Sequence, residues 1–294
     1  MVSGAEVRVL DMINSEIRKT VAFFLVLLMA FSVSGLPAYA EWSPTALWPE
    51  RTDEVFTNSA AGFDIGNRNN GYIYVWKTVP EEGEYKILVK HESSEENIGV
   101  LDYDGSGEPV IIPLTEGSGS YEIGLYRKVW GKEYAANGSC TVYADIPDFT
   151  DAFLYPNRYI DYDEDSPFLE DAEQFCSGKS ESEAFERFKA YFERCYSYDF
   201  VTSIARMSPD YGLNPRIDRT FELHMGICQD LASLAVAMLR SRGIRAAMDI
   251  GRANGKSHAW VSVWIDGKEI TWDPSWEITK SQTGPIYYDV KYRY

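Results

Sequence analysis

Basic charge is scarce in this chain for its size. Against 45 Asp and Glu stand 28 Lys and Arg, and the formal net charge of the 294 residues is −17. A surface that acidic is repelled by nucleic acid and by anionic membranes, so neither is an expected partner. Cysteine is scarce too: Cys140, Cys176, Cys195 and Cys228 are the full set. If one of them is a free nucleophile, three remain, and an odd number cannot all pair. A bridge between Cys176 and Cys195 is disfavoured, because the helix expected from Ser180 separates its start from Cys195 by roughly 22 Å. Histidine occurs three times, at His91, His224 and His258. Long apolar runs are almost missing, the exception being "VAFFLVLLMAFSVSGL", Val21 to Leu36.

That run follows Arg18 and Lys19 and precedes "PAYAEW", with small residues at Ala38 and Ala40. A basic, then apolar, then small-residue order is a secretory signal, and it is expected to be cleaved after Ala40. An uncleaved anchor is the alternative, but the run is short beside the ~20 residues of a spanning helix. The protein is therefore expected to be secreted or extracellular, where the oxidising environment permits disulfides.

What is present is aromatic and apolar: hydrophobic residues make 45% of the chain and aromatics 14%. The length suffices for two ordinary domains. From Asn70 to about Ile146 the pattern is β. "GYIYVWKTV", "GEYKILVKH", "PVIIPL", "GSYEIGLYRKVWG" and "SCTVYADI" are separated by Gly-, Pro- or Asp-rich breaks. Short strands at this spacing predict an all-β, sandwich-like domain over 41–150. Within it, Asp102, Asp104 and Ser106 imitate a calcium loop. The twelfth position is Pro113, where a bidentate Glu is required, so the segment is read as a hairpin turn without metal.

Residues 151–179 are acidic and turn-rich and are expected to form a solvated linker. The last domain, 180–294, opens with a helix. Ser180 and Glu183 make a capping box. Phe185, Phe188, Phe192 and Cys195 fall on one face, a stripe expected to be core. A second helix follows in "HMGICQDLASLAVAMLRSRGIRA", with Cys228 in its first turn and Gly243 as its stop. Gly226 lies where chain must approach chain closely. Then "HAWVSVWIDGKEITWD" is a hairpin. An Asp266-Gly267 turn of type I′ pairs Ile265 with Lys268 and so sets Trp260 opposite Asp273. His258 and Asp273 then share a face as diagonal neighbours.

Cys228, His258 and Asp273 form a constellation with chemistry. A helix N-terminus and a neighbouring imidazolium favour a thiolate, although the like charge of Asp230 opposes this. His258 can serve as base and then as acid, with Asp273 fixing its tautomer. The backbone N–H of Cys228 supplies one oxyanion donor, and the sequence names no second. His91 and His224 have no such context and are read as structural. Trp260, Trp264, Trp272 and Trp276 are read as core and cleft walls.

Gly226-Ile227-Cys228 with its Ala/Leu-rich helix and "RGIRA", then His258-Ala259-Trp260, then Trp272-Asp273-Pro274 past the turn, resemble the transglutaminase-like superfamily over roughly 180–280. The resemblance implies an α+β chain: a papain-like core, with the Cys-bearing helix packed on an antiparallel sheet, behind an all-β sandwich-like domain. It implies Cys228, His258 and Asp273 as the triad of an exported cysteine acyl-transfer enzyme that acts on amides through a thioester. Hydrolysis, as by a protease or amidase, is favoured slightly over amine cross-linking. No cofactor or metal is expected, and the expected partner is a protein or peptide substrate, with the cell wall or cell surface as one source. Bacterial members often carry aromatics one and three residues after the cysteine; here Gln229 and Leu231 stand, with Asp230 kept. Ser275 and Trp276 follow Asp-Pro where a Thr and an aromatic are usual. A non-catalytic surface or wall-binding module using this fold as a scaffold is the alternative.

Overall fold

Tyrosine- and valine-rich segments form strands here because aromatic and β-branched side chains fill a pleated, half-buried surface. The computed structural model describes residues 45–176, 180–205, 215–281 and 284–294. The signal segment read at 1–40 lies outside the described residues. Eight strands come first: β1 (Val55–Thr57), β2 (Ala61–Asp64), β3 (Tyr72–Lys77), β4 (Tyr85–His91), β5 (Asn97–Tyr103), β6 (Val110–Pro113), β7 (Gly119–Trp130) and β8 (Glu133–Ala144). They form two antiparallel four-stranded sheets, β1-β2-β3-β6 and β5-β4-β7-β8. In β4 the alternation is plain. Tyr85, Ile87, Val89 and His91 are buried, and the residues between them are more exposed. The Asp104 loop is not the hairpin turn the sequence suggested. It carries the chain from β5 in one sheet to β6 in the other, which a local reading of turn residues cannot detect. Its conformation is held by Asp104 Oδ1, which accepts from the Ser106 N–H at 2.9 Å.

The stretch read as a solvated linker is packed. Phe153, Ile160 and Phe168 are wholly buried, and Tyr159 and Tyr162 nearly so. Asp163, Glu164 and Asp165 face outward while these aromatics face in, and a count of acids alone sees only the first set. Phe153 stacks on Trp264 with ring centroids 5.1 Å apart and 4° between planes. Tyr159 accepts from the Asp102 N–H at 2.9 Å, and the Tyr294 hydroxyl donates to the Val100 carbonyl at 2.8 Å. These contacts join the first sheets to the remainder, and the described residues belong to one compact unit.

That remainder runs α1 (Leu169–Cys176), α2 (Glu181–Cys195), β9 (Ser197–Tyr198), α3 (Phe200–Ala205), α4 (Ile217–Leu223), β10 (Met225–Gly226), α5 (Cys228–Arg240), β11 (Ala246–Ala253), β12 (Lys256–Ile265), β13 (Lys268–Trp272), α6 (Pro274–Thr279) and β14 (Tyr288–Arg293). Strands β13-β12-β11-β14 make an antiparallel sheet, and α5 packs on β11 and β12. The chain is thus α+β, a cysteine-bearing helix on an antiparallel sheet behind an all-β region. Helix α5 is buried on nearly every side, which suits its all-round Ala/Leu composition. At its C-terminal end the wholly buried Arg240 donates to the carbonyls of Ala246, Tyr155 and Tyr294 at 2.7, 2.6 and 2.9 Å.

Helix α2 starts at the expected cap, with Ser180 Oγ accepting from the Glu183 N–H at 3.3 Å. Phe185, Phe188 and Phe192 are buried as the stripe requires. Cys195 departs from it and is an exposed free thiol. The helix ends there, and Tyr196 takes the next inward position, stacked on Phe192 at 4.6 Å.

Candidate functional site

The start of α5 is built by three neighbours. Gly226 pairs with Tyr198 across the parallel β9–β10 contact. A Cβ at Gly226 would stand 2.8 Å from the Cβ of Asp230, so only glycine lets the strand meet the helix there. Asp230 is wholly buried. Its oxygens accept from the Ile227 and Arg216 backbone N–H groups, both at 3.2 Å, and the Arg216 guanidinium lies 3.5 Å away. The carboxylate is therefore committed to the helix start and has a cation of its own beside it. Cys228 follows as a half-buried free thiol in the first turn.

His258 comes from β12 by the register the turn dictates. Asp266 and Gly267 both have positive φ, 50° and 73°, as a type I′ turn demands. Ile265 pairs with Lys268 and Val261 with Trp272, so the next step sets Trp260 against Asp273. Asp273 then ends the hairpin as the N-cap of α6, accepting from the Trp276 N–H at 3.1 Å, with Pro274 at the first helical position.

The carboxylate of Asp273 meets Nε2 of His258 at 2.7 Å. Ser275 Oγ donates to its other oxygen at 2.8 Å, and the Tyr288 hydroxyl donates to Oδ2 at 3.3 Å. With Nε2 taken, Nδ1 is the nitrogen left for Cys228. Burial works against the His258 charge. Hydrogen bonds to Asp273 and Cys228, together with their charges, outweigh it and raise the imidazole to about 9. Trp276 stacks on the ring at 4.7 Å and 18°, and Trp260 lies at 6.3 Å and 21°. The structure thus brings together all three residues singled out in the sequence.

Tyr198 was not singled out. Its phenol lies beside the backbone N–H of Cys228 and within 3.3 Å of Ser203 Oγ. Burial, then the charge of Cys228, raises it above the usual tyrosine range, so it stays protonated. The phenol oxygen accepts from the Cys228 N–H, and the two groups lie together next to the thiol. Nothing local marks Tyr198 among 20 tyrosines; only the β9–β10 pairing places it.

The other candidates lie elsewhere. His91 packs on Tyr121 and accepts from the Ser93 N–H at 3.2 Å. His224 sits at the left-handed end of α4 against Tyr196. Trp264 and Trp272 are core, the latter edge-on to Phe185 and Phe192. Among the described residues, no group of three or more His, Cys, Asp or Glu could hold a metal ion. No described helix is long and apolar enough to cross a membrane.

Residues 158–274 match the sequence model of the transglutaminase-like superfamily. No curated protein matches the chain. Among solved structures, a TGase is similar at 21% identity over 40% of this chain, with a TM-score of 0.33. The alignment spans about a third of that protein, 32% of its length. The periplasmic domain of TgpA from Pseudomonas aeruginosa is similar at 12% identity over 84% of this chain and 86% of its own, also with a TM-score of 0.33. At these values neither relative carries a residue role over to this chain.

Proposed function

From the premise that residues 158–274 form a transglutaminase-like domain, we propose that the protein is an exported cysteine acyl-transfer enzyme acting on amides of protein or peptide substrates. The 2.7 Å contact between His258 and Asp273, with Cys228 at a helix start acting on the same imidazole, carries this reading. In the reaction, Sγ of Cys228 attacks the amide carbonyl carbon and its electron pair forms the C–S bond. Charge moves to the carbonyl oxygen, which takes the Cys228 N–H from the Tyr198 phenol oxygen and accepts from the Tyr198 hydroxyl as well. Collapse breaks the C–N bond, and the His258 imidazolium gives its proton to the departing nitrogen. Water then attacks the thioester while His258 takes a proton from it; the C–S bond breaks, releasing the acid and returning the Cys228 thiolate beside the imidazolium. A primary amine in place of water gives cross-linking, and hydrolysis is the favoured branch. The basic–apolar–"AYA" order before Glu41 supports export.

Two measurements test the reading. The first is iodoacetamide labelling followed by peptide mass spectrometry. Cys228 should react far faster than Cys140, whose thiol burial pushes up. The second is incubation of extracellular proteins with the enzyme, with and without a dansylated primary amine. New chain termini or glutamine-to-glutamate conversion mark hydrolysis, and dansyl adducts mark transfer. Turnover should hold through neutral pH and fall above about 9, where His258 loses its proton and with it the general acid. Labelling of Cys228 no faster than of Cys140 would leave the domain a scaffold.

Tyr198→Phe tests the second oxyanion donor. Loss of the hydroxyl should lower kcat about 10²-fold with little change in KM, the signature of a donor used in the transition state. A loss confined to KM would place Tyr198 in substrate binding instead.

A further inference from the structure

Tyr288 lies beyond the residues that match the family, on the last strand of the sheet, yet its hydroxyl reaches the central carboxylate of the site. We propose that Tyr288 is a positioning residue that holds Asp273 and limits how tightly this carboxylate binds the His258 proton. The inference rests on the triad reading above.

The hydroxyl donates to Oδ2 of Asp273, the same oxygen that meets His258 Nε2. Its ring lies 4.6 Å from Trp260 and 5.9 Å from Trp276, the two indoles that flank His258. Backbone pairing fixes the strand there: Tyr288 pairs with Ala253 on β11, and the Tyr287 N–H donates to Asn254 Oδ1 at 2.9 Å. The titratable groups acting on this cluster come from four other elements: Cys228 on α5, Tyr198 on β9, His258 on β12 and Glu277 on α6. Burial, then the charge of Asp273, holds the Tyr288 phenol above its usual range, so it remains a donor wherever the site works. Electron density given to the phenol is not available to the imidazolium, so the Asp273–His258 pull is weaker than it would otherwise be. An acid–base group must release its proton as well as hold it, and its efficiency is highest near the working pH.

The test follows the 13Cε1 signals of the full chain against pH by NMR. Only three histidines contribute, and His258→Ala assigns the one of interest. In the wild type, His258 should titrate near 9, and Cys228→Ala should lower that midpoint. Tyr288→Phe keeps the ring and removes the donor, and should raise the midpoint by about half a pH unit. Unshifted His91 and His224 signals report in the same spectra that the variant is folded. A midpoint that stays or falls in the folded variant overturns the role of Tyr288 and leaves the triad intact. A wild-type midpoint near the ordinary histidine value sinks the triad reading instead. A Tyr288→Phe chain without those reporter signals assigns the hydroxyl to folding and equally overturns the proposal.

Discussion

Cys228→Ala should give a folded protein with no measurable acyl transfer. The thiol contributes little to the helix start, which Asp230, Arg216 and the close approach at Gly226 hold. Removing one half-buried sulfur should change stability by no more than about 1 kcal/mol, read as a near-constant urea midpoint. Chemistry without the nucleophile is another matter. The Cys228 N–H and Tyr198 hydroxyl would still polarise a bound carbonyl, but no thioester can form. A loss on the order of 10⁴-fold or more in kcat is expected, with the remnant owed to those donors. Mass spectrometry should find no acyl adduct on the variant after substrate is added. Activity within tenfold of wild type would remove Cys228 from the reaction. Loss of activity together with loss of the unfolding transition would make it a packing residue.

The parts of this site that sequence made legible are those set by short-range rules. Asp266-Gly267 specifies a turn, the turn specifies a register, and the period of two then puts His258 and Asp273 on one face. Ser180 marks a helix start by the same local logic, and Gly226 marks a close approach. What was not legible depends on pairings between distant segments. Tyr198 reaches Cys228 because β9 lies parallel to β10, and two-residue strands carry no periodic signal. Tyr288 reaches Asp273 because β14 adds to the free side of β11. Cys195 kept helical spacing to its last residue, but a helix end turns out of the face its spacing extrapolates. The acidic stretch after residue 150 misled through its average composition, since its buried aromatics are interleaved with the acids.

Those same contacts determine what Asp273→Asn should do. The carboxylate of Asp273 receives donors on both oxygens: the Trp276 N–H and Ser275 Oγ on Oδ1, and His258 Nε2 and the Tyr288 hydroxyl on Oδ2. An asparagine has one acceptor oxygen and one amide nitrogen that only donates. The cap and Ser275 can keep the oxygen on their side, which turns the amide N–H₂ toward His258. Nε2 must then accept, and the ring proton moves to Nδ1, the nitrogen that faces Cys228. An imidazole protonated there cannot take the thiol proton, and the imidazolium has lost its counter-charge as well. The fold should survive, because the N-cap bond to Trp276 is retained. Activity should fall by about 10²- to 10⁴-fold in kcat/KM, and the His258 midpoint should drop well below 9. The NMR titration and the rate are separate readouts of one cause. A variant that kept its rate within tenfold while its His258 midpoint fell would show that the Asp273 charge is dispensable and that Cys228 is activated by its place on the helix alone.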